Sequence, residues 1–298
     1  MLNKYLKVLL SSALLLTVGT SFSEKVNAQA FVNDTFTDGG LTNGADPLDI
    51  SWFGISSNFY QTVSTPSQIK LSVVEDQILG SGKALNLDTP SFTTYPSYDP
   101  AVSAAHFALG TFAPVTLGSE PGDTLYLSFD FRFTTKPSTS TTFSQFPNLG
   151  ASALRFGLYN SASTPVTTNI LASLLRSGTP VEDDGGYFVL VGLAGTSRLE
   201  VAKENFNSED SITGGYGGLG LISTNSLPTI DDTARHTAVL IIRRVDSQTV
   251  RITTSIDGYL VKAVDSGPGI ITSFDEIAVR INFSDLNINI DNVVLQAL

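Results

Sequence analysis

Between Thr124 and Phe133 every second side chain is large and apolar: Leu125, Leu127, Phe129, Phe131 and Phe133 alternate with Tyr126, Ser128, Asp130 and Arg132. A period of two marks a β-strand with one face on a core and the other in water. It excludes a helix, whose apolar face recurs about every three to four residues. Strand-like runs recur at Ile69 to Val74, Ala84 to Leu87, Leu154 to Tyr159, Tyr187 to Leu193, His236 to Val245, Val250 to Ile256, Ile277 to Phe283 and Leu286 to Leu295. Clusters of Gly, Pro, Asn, Asp and Ser separate most of them, which predicts an all-β sandwich or barrel. Hairpin turns are expected at Asp246-Ser247-Gln248 and at Asp257-Gly258. Thr168 to Leu175 reads as a short helix or an irregular edge, and Thr134 to Ser144 as a long polar loop.

The first 28 residues set the expected compartment. Lys4 and Lys7 precede an apolar run from Val8 to Val18, and Val26-Asn27-Ala28 offers the small residues that a signal peptidase reads. Residues 1–28 are therefore expected to be a signal peptide, because the run falls short of the roughly 20 residues of a bilayer span. Residues 29–298 are expected to form one domain, secreted (extracellular or periplasmic), with no membrane insertion after cleavage. The chain has no cysteine, so a core and not disulfides must hold it together. The mature chain carries 14 basic and 27 acidic side chains, a formal charge of −13. That balance disfavours nucleic acid and anionic membranes as partners. Polyanionic glycans are also disfavoured unless arginines cluster locally against the global sign, and neutral glycans are easier to accommodate.

Several segments carry a resemblance. Asn33-Asp34-Thr35-Phe36-Thr37-Asp38-Gly39 and Gly44-Ala45-Asp46-Pro47-Leu48-Asp49-Ile50-Ser51-Trp52-Phe53 open the mature chain. Gly80 to Leu85, Gly122 to Leu125, Leu154 to Asn160, Asp184 to Tyr187, His236-Thr237 and Ile290 to Val293 follow. Together they resemble exported bacterial proteins with a concanavalin-A-like (laminin-G-like) jelly-roll domain. The resemblance implies a sandwich of two antiparallel sheets, a fold that hosts lectins, binding modules, glucanases and lyases.

The residues that might do chemistry are few. Glucanases of that superfamily carry Glu, Asp, Glu at alternate positions of one strand, and no such run exists in this chain. Glu182-Asp183-Asp184 is contiguous and precedes Gly185-Gly186, so it reads as a solvated turn. Asp275-Glu276 is adjacent, which would point its two carboxylates apart. His106 and His236 are the only histidines, and neither has a partner at metal-ligand spacing. His236 reads as a structural residue at a strand start, and Trp52 as a core residue. Gly215 to Gly220 matches a dinucleotide-type glycine spacing but lacks the strand-to-helix context, so it reads as a mobile loop. No catalytic residue is assigned.

Two site expectations remain. Tyr126, Asp130, Arg132, Arg155, Tyr159 and His236 supply the aromatic, acidic and basic groups of a sugar platform, with Leu154, Phe156 and Leu158 pointing inward. The same groups would equally solubilise an ordinary sheet. Asp34, Asp38 and Asp291 are candidates for a structural calcium ion, through pairing of the first and last strands. The expected function is binding of an extracellular polysaccharide or glycan, or a place in an extracellular matrix. A polysaccharide lyase or glycoside hydrolase is one alternative, and a structural or adhesive envelope protein the other.

Overall fold

The computed structural model describes residues 28–42, 47–58, 70–88, 104–134, 154–172, 181, 183–192, 198–206, 217–223, 230, 232–281 and 287–298. The expected signal peptide and nearly all of the Thr134 to Ser144 loop lie outside them. All regular elements among the described residues are strands, numbered here in chain order. Sheet I runs β14 (Tyr259–Ser266), β13 (Thr249–Ile256), β12 (His236–Asp246), β6 (Thr124–Phe133), β16 (Ile288–Ala297), β4 (Gly82–Asp88) and β3 (Lys70–Asp76), with β1 (Gln29–Asp34) also paired to β16. Sheet II runs β11 (Gly217–Ser223), β10 (Arg198–Glu204), β9 (Gly185–Val191), β7 (Leu154–Asn160), β15 (Ser273–Ile281), β5 (Ala104–Thr116), β2 (Ser51–Asn58) and β8 (Ile170–Ala172). The chain passes from sheet II to sheet I and back at β5, β6 and β7, and again from β15 to β16. This is the expected all-β jelly-roll sandwich of two antiparallel sheets.

The alternation in β6 decides how the sheets meet. Leu125, Leu127, Phe129, Phe131 and Phe133 are all at most 1% exposed and belong to the main core. From the facing sheet come Phe156 and Leu158 of β7 and Ile277 and Val279 of β15. Phe129 meets Phe156 edge-on at 5.1 Å, a favoured aromatic geometry. Trp52 is buried in the same core, and its indole N–H donates to Asp34 at 2.9 Å.

Two expectations change, and one pair of alternatives is decided. Of the helix and irregular-edge readings of Thr168 to Leu175 the edge holds, since the stretch contains β8, a three-residue strand that pairs in parallel with β2 at the margin of sheet II. The glycine-rich segment read as a loop supplies β11, paired to β10 at the edge of sheet II. Glycines carry no side chain to show a period of two, so their strand is silent in the pattern. Thirteen-residue β5 was also absent from the expected runs. From His106 to Gly110 it lies inside sheet II with both faces covered, so these residues need not alternate. Gly110 is required there, since a Cβ at that position would lie 2.5 Å from Ile50 and 3.1 Å from Trp52. Both hairpin turns form as read; Asp257 and Gly258 take φ of 50° and 86°, the left-handed pair of a type I′ turn.

Candidate functional site

The six residues of the expected sugar platform fall on two different sheets. Tyr126, Asp130 and Arg132 point outward from sheet I, whereas Arg155 and Tyr159 point outward from sheet II, on the opposite side of the sandwich. One continuous platform of all six is therefore not what the fold builds. On sheet I, Asp130 is buried and accepts from Arg235, Thr237 and Asn292. Arg132 donates to Asp76, which also accepts from Asn289. His236 faces the core, packs on Phe131, and is held between Asp257 at 2.7 Å and Asp232 at 3.1 Å. These groups are engaged with one another across strands, the arrangement that stabilises a sheet.

Asp34, Asp38 and Asp291 are likewise not gathered. Among the described residues no three His, Cys, Asp or Glu side chains converge as a metal cluster. Asp34 accepts from the Phe36 amide and the Trp52 indole. Asp38 caps a turn by accepting from the Gly40 amide, and Asp291 accepts from the amides of Ser81 and Asn292. Pairing of β1 with β16 does occur, but it sets Asp34 opposite Val293.

The outer face of sheet II gathers the chemistry instead. Three strands each present two ionisable groups four residues apart, hence on one face: Arg155 and Tyr159 on β7, Glu276 and Arg280 on β15, Glu200 and Glu204 on β10. Register then aligns them. Arg155 sits opposite Arg280, and Tyr159 opposite Glu276. On its other side Tyr159 is opposite Gly186, which is opposite Glu204. A Cβ on Gly186 would lie 2.6 Å from the Tyr159 ring, so only glycine lets that ring lie across β9. The ring stacks on Phe188, and the Arg280 guanidinium lies 4.9 Å from the Phe107 ring centre. Asp184, just before β9, completes the set.

All of these groups are buried, and several are poorly satisfied. Tyr159 Oη has no hydrogen-bond partner among the described residues, whereas the Asp184 and Glu276 carboxyls bond to each other when one is protonated, with no other donor reaching Asp184 or Glu276 Oε2 among those residues. Burial raises the pKa values of Asp184 and Glu276, and the neighbouring Glu276 charge raises Asp184 further. Burial also raises Tyr159. Arg280 is pushed down by burial and by the facing Arg155. Part of the cover is a strap, residues 161–169, that runs from β7 past β15 and β5 to the far edge of the sheet. Ser161 donates twice to Asp275, and the Val166 amide donates to Glu276 Oε1. The adjacent pair Asp275-Glu276 thus anchors one segment, because a bulge between Phe274 and Glu276 breaks the alternation that would have pointed them apart. Asp184 corrects the solvated-turn reading in the same way, being 1% exposed.

No family model matches this sequence, and no curated protein matches it. Among solved structures, it is similar to the carbohydrate esterase vb_24B_21 from Shiga toxin-encoding bacteriophage phi24B, at 13% identity over 91% of this chain and 99% of that one, with a TM-score of 0.41. The potassium-bound Emp46p carbohydrate recognition domain is 10% identical over 82% of this chain and 87% of that one, with a TM-score of 0.45. An endo-beta-1,4-glucuronan lyase from the fungus Trichoderma reesei is 10% identical over 80% and 93%, with a TM-score of 0.38.

Proposed function

We propose that this is an exported glycan-binding protein whose ligand engages the outer face of sheet II. The observation that carries the reading is the buried hydroxyl of Tyr159, unpartnered among the described residues, beside the under-satisfied Asp184–Glu276 carboxyl pair, with Arg155 and Arg280 on the same face. Leaving such groups without partners costs about 1–3 kcal/mol each. A polyhydroxyl ligand offers donors and acceptors at once, and Tyr159 and Phe188 add aromatic surface for a sugar ring. Entry requires the 161–169 strap to lift from Asp275 and Glu276. Screening the purified mature chain on a glycan array, then titrating the best ligand, tests the reading. Tyr159→Phe and Asp184→Asn are each expected to weaken binding about tenfold, worth about 1.4 kcal/mol. Glu75→Ala on the opposite sheet is expected to leave it unchanged. Absence of any glycan ligand, or equal affinity in all three variants, would overturn the proposal.

A second reading, a polysaccharide lyase or glycoside hydrolase, is favoured by one observation. Burial holds protons on the carboxyl groups of Asp184 and Glu276 into a higher pH range, which suits general acid work. Turnover would appear as ultraviolet absorbance of an unsaturated uronate or as new reducing ends, and Glu276→Gln should abolish it.

A further inference from the structure

Sheet I carries a second surface, independent of the one on sheet II. Register places two rows of side chains side by side on the outer face of its β14 half. In the first, Thr124, Arg243, Arg251 and Val264 follow one another across β6, β12, β13 and β14. In the second, Tyr126, Ile241, Thr253 and Lys262 do the same. Arg243, Arg251 and Lys262 are exposed, and Val264 is 53% exposed.

The charge pattern of this surface is one-sided. Arg243 lies directly opposite Arg251, and like charges in that position destabilise a sheet. None of the eight positions in the two rows holds a carboxylate. The acids of these strands and turns are engaged elsewhere: Asp123 accepts from the Glu120 amide and Glu120 from the Ser119 hydroxyl in the turn beside Arg243, Asp246 accepts from the Gln248 amide in its turn, Asp257 holds His236, and Asp265 points inward to Lys203. Neither guanidinium has a hydrogen bond or ion pair with a described residue. The whole chain is meanwhile acidic, with a formal charge of −11, so three cations without an ion pair among the described residues run, on this face, against the overall sign.

We propose that this face binds a carboxylated or sulfated polysaccharide. Two guanidiniums on adjacent strands, with Cβ atoms about 5 Å apart, offer paired planar forks to successive anionic groups of one chain. Lys262 lies diagonally beyond Arg251 and extends the track. Tyr126 and Ile241, both half-buried, provide apolar contact for the sugar rings between the charges. A nucleic acid fits less well, since its dense charge, about one per 1.7 Å of duplex, would meet the acidic remainder of the molecule beyond so small a patch.

The test is titration of the mature chain with oligogalacturonate and with a heparin oligosaccharide at about 50 and about 200 mM salt. Binding of at least one probe is expected, with affinity falling as salt rises. Arg243→Ala with Arg251→Ala should weaken it at least about tenfold and reduce the salt slope by about two. Both side chains are exposed, so the fold should survive, as circular dichroism would verify. Arg243→Lys with Arg251→Lys keeps the charge but loses the forks, and should fall between. Asp184→Asn on sheet II should leave this binding intact, separating the two surfaces. Failure of both probes to bind, an unaffected double alanine variant, or tighter binding to duplex DNA or anionic vesicles would overturn the proposal.

Discussion

The two histidines show how burial and partners set opposite signs on one residue type. Burial disfavours the charged form of His236, yet the carboxylates of Asp257 and Asp232 outweigh it and hold its pKa above 6.5. Its contribution to stability is therefore full below that value and lost as pH rises through the folded pKa. His106 is fully buried, with neither ring nitrogen hydrogen-bonded among the described residues, and burial aided by Arg280 lowers its pKa to about 4. Its contribution is present above pH 6.5 and lost as pH falls toward about 4, reaching about 3 kcal/mol once the ring is forced to charge. Urea denaturation across pH should show His236→Gln flattening the alkaline side of the profile and His106→Leu flattening the acid side. A third residue, Asp34, serves buried donors from Trp52 and Phe36. Asp34→Ala should lower stability by about 1–3 kcal/mol in the same assay, because it strands both N–H groups.

At the level of strands, β6 was the most legible element and β5 among the least, for one physical reason. A strand with one wet face must alternate, whereas a strand covered on both faces is free to mix His106, Phe107, Ala108 and Gly110 without a period. The candidate site was half legible on the same grounds. Arg155 and Tyr159 were read as sharing a face, and they do; that their face lies buried beneath other chain follows from the 161–169 strap, a long-range packing event with no local pattern. The pairs Glu276/Arg280 and Glu200/Glu204 repeat the Arg155/Tyr159 spacing, which was the available signal for that face. Glycines set the tolerance of this layer. A Cβ at Gly157 would lie 2.5 Å from the Tyr187 carbonyl and 2.6 Å from Phe188, so Gly157→Ala should destabilise by about 1–3 kcal/mol through overpacking, measured by thermal melting. Ser161→Ala with Asp275→Ala should instead raise amide exchange of the strap while leaving β6 protected, which mass spectrometry would resolve.

Across the whole molecule, the two sheets are joined by more than apolar packing. Lys203 of β10 pairs with Asp265 of β14 at 2.8 Å and also donates to the Gly269 carbonyl. The Tyr187 hydroxyl donates to Asp265 at 2.6 Å and accepts from the Ile271 amide. This polar latch closes one margin of the sandwich. Breaking it on one side should cost about 3–5 kcal/mol, because Lys203→Met leaves a buried carboxylate uncompensated. Adding Asp265→Leu to Lys203→Met should recover much of that loss, and denaturant titration of the single and double variants would measure the coupling.

The position of β16 bears on how the molecule is made. It is the last strand among the described residues, yet it is hydrogen-bonded to β6, to β4 and to β1, so it occupies the middle of sheet I. Until it pairs, β4 and β6 have no common partner, and β6 is hydrogen-bonded on one side only, to β12. During synthesis at about 5–20 residues per second, the nascent chain must wait with that sheet open. Until β16 pairs, the apolar face of that sheet stays open to solvent, the state in which a β-chain is most prone to associate with its neighbours.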